Sequence, residues 1–290
     1  MNTHKLLIPL VVGCGLCLAQ ITATAQEFKT HISKQFTLQQ TASASVLAIY
    51  NVFGSIRVEG YNGNEVIIEI DETIKSDNEG DLAAGKRDFK MGFSQSKDSV
   101  IAYVAAPYDS RPHINWRNNE DNRHINYTVK LDYVVKVPNN INLRVSTINN
   151  GTIDVKDVYG KLKVNNINGG ITIANAKGVS DIHTVNGPVT VNYLAIPTDT
   201  CKYYTINGKM EITFPKNLSA DMQFKSMNGK FYTDFDEVEA LPTQVTKTQD
   251  KKANGTTYKL NKNTQVRVGA GGKLFKFETL NGNIYIKKQS

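Results

Sequence analysis

Apolar and polar side chains alternate along several short runs of the chain, and a glycine punctuates each run. Gly151, Gly160, Gly169, Gly178 and Gly187 stand nine residues apart, Gly208 and Gly229 follow at intervals of 21, and the pattern returns at Gly282. Two and four residues after a glycine come Ile153/Val155, Leu162/Val164, Ile171/Ile173, Val189/Val191, Met210/Ile212 and Ile284/Ile286. Two residues before one come Val158, Ile167, Ala176, Val185, Ile206, Met227 and Leu280. Gly54 obeys the same frame, between Val52 and Ile56/Val58. The frame lapses at Asn149, Ser180 and Thr233, each in an apolar place. Alternation of period two marks a strand buried on one face. Each nine-residue unit therefore predicts one short strand and one corner, and two units make a rung of 18 to 21 residues.

Asparagine precedes the glycine at Asn150, Asn168, Asn186, Asn207, Asn228 and Asn281, whereas the intervening corners read Tyr159-Gly160 and Lys177-Gly178. Asn-Gly supplies the left-handed backbone that a sharp corner needs. Two architectures use such units. In a β-solenoid-like fold (a parallel β-helix) the rungs stack in parallel around one thin core. In an antiparallel β-sandwich the Asn-Gly pairs close hairpins. Alternation between two corner types favours the solenoid. Either way the fold class is all-β, because no long segment repeats its apolar residues at helical spacing.

The rest of the chain supplies the frame's surroundings. Residues 26–138 read as an N-terminal β region: a polar lead-in, strands near 46–59, 65–74 and 99–105, a short helix around 82–89, and a polar loop at 107–124. A strong strand at 127–137 is stopped by Pro138. Residues 139–290 read as the β-repeat region, broken by a charge-mixed stretch at 236–263 expected to be an irregular excursion. The last strand is expected to cap the stack, with Lys287 and Lys288 protecting its edge.

Residues 1–25 have the form of a signal peptide: Lys5, an apolar run over 6–18, and Ala23-Thr24-Ala25 before Gln26. A rival lies within it. Val11-Val12-Gly13-Cys14 resembles a bacterial lipoprotein box, and membrane anchoring is expected only if Cys14 is lipidated. Beyond residue 25 one cysteine remains, Cys201, so no internal disulfide can staple the exported chain. Of the 34 basic residues 33 remain against 27 acidic ones, a net charge of +6.

The phrases Ser146-Thr-Ile-Asn-Asn-Gly151, Val164-Asn-Asn-Ile-Asn-Gly169, His183-Thr-Val-Asn-Gly187 and Thr279-Leu-Asn-Gly282 resemble those of the bacterial "putative adhesin" family. Tyr133-Val-Val-Lys-Val-Pro138 is similar to the strand that introduces that family's repeats. The resemblance covers roughly residues 45–287 and is strongest over 127–235. It implies an exported envelope or surface β-repeat module of a domain of unknown function, with no catalytic residues to carry over.

The chemistry on offer is sparse. Polysaccharide lyases and hydrolases built on β-helices need carboxylates that converge on one face. Asp154, Asp157, Asp181, Asp199, Glu211, Asp221 and Asp234 recur at no fixed place in the repeat. A calcium roll needs an aspartate after its paired glycines, and Gly169-Gly170 is followed by Ile-Thr-Ile. The 107–124 loop carries His113, Trp116, Arg117 and His124; their spacing matches no metal site, but the chain's single Trp beside an Arg marks the loop as a recognition surface.

The expectation is a non-enzymatic, exported cell-envelope or surface protein, an adhesin-like binding or structural module with no catalytic residues, metal or cofactor. Its location would be the periplasm, the outer-membrane surface or the exterior. Its partner would be a surface glycan or envelope protein, with self-association open to it and nucleic acid excluded by export. The alternatives are a carbohydrate-active enzyme on a β-helix and a self-assembling envelope scaffold.

Overall fold

The computed structural model describes residues 26–112, 125–252 and 255–290, and their side chains outside residues 243–262. In chain order the strands are β1 (Gln26–Thr37), β2 (Val46–Tyr50), β3 (Ile56–Tyr61), β4 (Glu65–Ser76), β5 (Lys90–Gln95), β6 (Ser99–Ala106), β7 (Tyr127–Pro138), β8 (Asn142–Ser146), β9 (Ile153–Lys156), β10 (Leu162–Asn165) and β11 (Ile171–Ala176). They continue with β12 (Ser180–His183), β13 (Val189–Tyr193), β14 (Lys202–Asn207), β15 (Met210–Phe214), β16 (Ala220–Asn228), β17 (Phe231–Thr233), β18 (Val238–Lys252), β19 (Gly255–Val268), β20 (Leu274–Asn281) and β21 (Ile284–Lys288). Among the described residues one α-helix, α1 (Glu79–Asp88), interrupts them, where a helix was expected. It starts because the Asn78 side chain accepts a bond from the Asp81 backbone N–H, with Glu79 and Asp81 in the first turn.

The protein is all-β, with two large mixed sheets, neither closed into a barrel. Sheet A has ten strands in the order β1-β4-β7-β3-β9-β11-β13-β15-β21-β17, and sheet B has eleven in the order β18-β19-β16-β20-β14-β12-β10-β8-β2-β6-β5. Successive strands from β8 to β17 alternate between the sheets, and each strand from β8 to β13 pairs in parallel with the strand two places on. The six repeat Asn-Gly pairs therefore turn the chain from one sheet to the other and close no hairpin. Antiparallel pairing is confined to the flanks: β1, β4 and β7 in sheet A, β5 with β6 and β16, β19 and β18 in sheet B.

The parallel register stacks like on like. In sheet A the line Ile56, Ile153, Ile171, Val189, Met210, Ile284 faces inward, with Val58, Val155, Ile173, Val191, Ile212, Ile286 beside it. Sheet B answers with Ile49, Val145, Val164, Ile182, Tyr203, Phe277 and Phe224. The core changes from aliphatic to aromatic along the stack: Tyr203–Phe277 and Tyr193–Phe214 are stacked at 4.9 and 5.1 Å, and Phe224–Phe277 at 5.1 Å. Each such side chain contributes about 1.5–3 kcal/mol on burial, which is how the described residues, with one buried free cysteine among them, are held without a disulfide.

Three expectations are corrected. The C-terminal strand does not cap the stack: β20 lies between β14 and β16, and β21 between β15 and β17. Lys287 and Lys288 serve instead as ion-pair partners of Glu211 and Asp236. Residues 236–263, expected to be irregular, contain most of the antiparallel ribbon β18–β19, anchored where Thr264–Val268 pair with β16. Its sequence is rich in Thr and Val, residues that favour strands despite the mixed charge. Finally, positive φ is not what most of the corners demand. Of the six Asn-Gly pairs only Asn150 has it (φ 54°), and of the repeat glycines only Gly54 (φ 110°). The glycines are required by close approach. In spatial order Gly54, Gly151, Gly169, Gly187, Gly208, Gly282 and Gly229 stack so tightly that a Cβ on any of the last six would overlap the carbonyl of the glycine before it. At the other corner Gly178 bears the same relation to Gly160, and Gly160 to Ile141.

Candidate functional site: the outer face of sheet B and its corner

The phase of each strand decides what reaches the surface. Counting forward from Leu162, alternate residues point inward through Val164 to Asn166, so Ile167 emerges on the outside. The apolar residues two before each glycine thus divide by corner. Val158 and Ala176, at the Tyr-Gly and Lys-Gly corners, are 1% and 0% exposed, whereas Ile167 and Met227 at the Asn-Gly corner are 40% and 74% exposed. The inward place there is polar and structural. Thr147 Oγ1 donates to the Gly54 carbonyl, Asn166 Nδ2 to that of Gly151, Thr184 Oγ1 to that of Gly169 and Thr205 Oγ1 to that of Gly187, at 2.9–3.0 Å. The equivalent Thr279 and Ser226 hydroxyls have no partner.

Four parallel rows result on the outside of sheet B, crossing the strands at about 4.8 Å per step. At the corner itself runs an asparagine ladder. Asn168, Asn186, Asn207, Asn281 and Asn228 each donate Nδ2 to Oδ1 of the residue before, starting from Asn149, at 2.7–2.9 Å. Next to it is an aliphatic row: Val52, Ile148, Ile167, Val185, Ile206, Leu280 and Met227. Then comes a mixed row, Tyr50, Ser146, Asn165, His183, Tyr204, Glu278 and Lys225, in which the His183 and Tyr204 rings lie 5.5 Å apart.

The fourth row is cationic: Arg144, Lys163, Asp181, Lys202, Lys276. His183 Nε2 lies 2.8 Å from Asp181 Oδ1, and Arg267 and Lys225 are occupied by Asp221 and Glu278. Arg144, Lys163, Lys202 and Lys276, with Lys161 beside them, are exposed and have no ion-pair partner among the described residues. A depression of about 350 Å³ opens at one end of the row, lined by Arg144, Lys161, Lys163 and Asp181 together with Asn142, Val46 and Val179.

Sheet A presents a different surface. On its repeat strands Lys156 lies 3.9 Å from Glu59, and Glu211 is held by Lys287 and Lys209. Lys287 first among these holds the Glu211 carboxyl below its usual range. Near the Gly151 corner a second depression of about 400 Å³ contains Asp132. Burial works to raise that carboxyl, but bonds from Lys130 and from the Ser55 N–H and hydroxyl outweigh it and hold the group low. Its oxygens are thus already spoken for. His31 sits between Asp71 and Glu69, which raise its pKa in that order, on an exposed strand face. Among the described residues no three His, Cys, Asp or Glu side chains gather as metal ligands would.

His113, Trp116, Arg117 and His124 lie outside the described residues, as does the segment 1–25. The asparagine ladder was readable as a repeat position, whereas along the sequence the cations look scattered. The signal was present in Arg144, Lys163 and Lys202, which follow the inward Leu143, Leu162 and Cys201, but it emerges only once the strand register is known.

No family model matches the chain, and no curated protein does. Solved structures similar to it include one described as a "putative cell adhesion protein" from Clostridium sporogenes ATCC 15579, 9% identical, with a TM-score of 0.40 over 90% of this chain and 100% of that one. Another is described as a "putative adhesin" from Bacteroides fragilis NCTC 9343, 9% identical, with a TM-score of 0.31 over 90% of this chain and 97% of that one.

Proposed function

We propose that the protein is an exported, non-enzymatic module of a bacterial envelope, adhesin-like in action. Its central rungs form a two-sided β-solenoid that displays the outer face of sheet B to a partner. The observation that carries this reading is the set of four in-register rows on one flat face. A stack fixed by glycine contacts and a hydrogen-bonded corner holds its exposed groups at constant spacing, so weak contacts add along the row. The scatter of the acids supports a binding role over catalysis. Asp181 and Asp221 lie on sheet B, Asp154 and Glu211 on sheet A, so they do not converge. The form of residues 1–25 supports export.

The test is a glycan array probed with the purified chain, alongside polysaccharide turnover assays. Saturable glycan binding without turnover is expected. Turnover of any polysaccharide with no array binding would overturn the reading in favour of an enzyme. The 107–124 loop is tested separately: Trp116→Ala weakens the captured ligand if the loop takes part and leaves its affinity unchanged if it does not.

A further inference from the structure

We propose that the partner is a linear acidic polysaccharide, laid across the strands along Arg144, Lys163, Lys202 and Lys276. This rests on reading sheet B's outer face as the binding surface and adds the chemical class of what it binds.

The argument is charge complementarity and shape. The chain carries an excess of cations, and on the strands of sheet B four of them fall in one register row. Among the described residues sheet A's repeat cations Lys156, Lys287 and Lys288 have acidic partners and Arg57 on β3 does not, while on sheet B Lys225 is paired with Glu278 and the four row cations Arg144, Lys163, Lys202 and Lys276 have none. The parallel register makes these a straight row, spanning four strand steps or about 19 Å from Arg144 to Lys276. A flexible polyanion with one charge per sugar or per disaccharide can meet such a row in several registers, which suits a ligand that is itself a repeat. Between the cations the face offers what hydroxyls and sugar rings require. The Asn165 amide flanks the row, and the His183 and Tyr204 rings sit one row over, 5.5 Å apart. Asp181 interrupts the row at its middle, where its carboxylate is hydrogen-bonded to the His183 ring. The aliphatic row lies at the sheet's border and is bounded by the amide ladder. That position favours a ligand on the flat face over insertion of the corner into lipid.

The experiment measures binding of the purified chain to polygalacturonate, to fully methyl-esterified polygalacturonate, to dextran sulfate, to neutral dextran and to phosphatidylglycerol vesicles. Titration calorimetry at low and high salt gives the affinities. The triple variant Arg144→Gln/Lys163→Gln/Lys202→Gln is compared with Lys136→Gln/Lys156→Gln on sheet A. Because all five positions are exposed, circular dichroism and the melting temperature should stay unchanged in both variants. The expected result is binding to polygalacturonate or dextran sulfate that weakens with salt, fades on esterification, and falls about three- to 150-fold in the triple variant, since exposed ion pairs are worth about 0.2–1 kcal/mol each. The sheet A variant should bind as the parent does. Neutral or esterified glycan bound as tightly as the acid, insensitive to the triple variant, overturns the charge assignment and leaves display of sheet B standing. Binding to vesicles but to no polysaccharide overturns the glycan in favour of a lipid surface. No binding to any of these overturns both readings.

Discussion

An alanine at Gly169 would put its Cβ well under 3.0 Å from the Gly151 carbonyl oxygen, 3.0 Å from that carbonyl carbon and 2.6 Å from Asn166 Nδ2. The first two are backbone atoms of the neighbouring rung, so no rotamer change relieves the overlap. The rungs must part, and the bonds across the gap lengthen with them: Asn166 Nδ2 to Gly151 O at 3.0 Å, Asn168 N to Ile148 O at 2.8 Å and Ile153 N to Gly170 O at 3.1 Å. Overpacking of about 1–3 kcal/mol and two or three weakened hydrogen bonds at about 1 kcal/mol each give a loss of about 3–6 kcal/mol. Gly170, the next residue, is an internal control. Its added Cβ meets only Pro188, at 3.3 Å and beyond, and its φ is not in the left-handed region. A shift of a few tenths of an ångström is set against about 0.4–1 kcal/mol gained by restricting the unfolded chain, so Gly170→Ala should stay within about 1 kcal/mol of the parent. Urea unfolding followed by far-ultraviolet circular dichroism measures both. Equal effects at the two positions would refute close approach as the reason for the glycines.

The inner polar line gives a second pair. Thr184→Val removes the donor to the Gly169 carbonyl and should destabilise by about 1 kcal/mol, whereas Thr279→Val removes a buried hydroxyl with no partner and should stabilise by a similar amount; matching urea midpoints would contradict the assignment. Glu72 points inward from β4 and burial raises its carboxyl pKa, so its neutral form is the one the fold favours. That contribution is present below the unfolded carboxylate range, near about pH 4, and is lost as pH rises through the folded pKa. Glu72→Gln should therefore gain stability over the parent as pH is raised from 4 to 7, and a pH-independent difference would count against it. In the chain from residue 26 onward Cys201 is the sole cysteine; it is fully buried, with its thiol pKa pushed up by burial, and accepts a bond from the Ser180 N–H. It should react with a thiol reagent only in urea, and rapid modification of the native protein would place it elsewhere.

The period-two alternation was enough to predict strands because Ile153/Val155 and their counterparts bury on one side wherever the strand goes. It also placed the corners. What it could not carry was phase: Ile167, Leu280 and Met227 look like core residues when counted back from a glycine and are surface residues when counted forward along the strand. The insertion of β20 and β21 ahead of β16 and β17 was invisible for a related reason. The Thr279-Leu-Asn-Gly282 phrase fits any rung, so the local pattern does not encode which neighbour it takes. The cationic row depends on that long-range register, since Lys202 and Lys276 become adjacent only through β14 and β20.

The two-sided parallel stack is tested most directly by the distance between nitroxide labels at Arg144 and Gln223. These outward positions lie in register on β8 and β16, with β10, β12, β14 and β20 between them. Five strand steps predict a separation of about 24 Å by pulsed electron paramagnetic resonance. A meander in which each strand paired with the next would set them eight steps, about 38 Å, apart, and a distance in that range would contradict the stack.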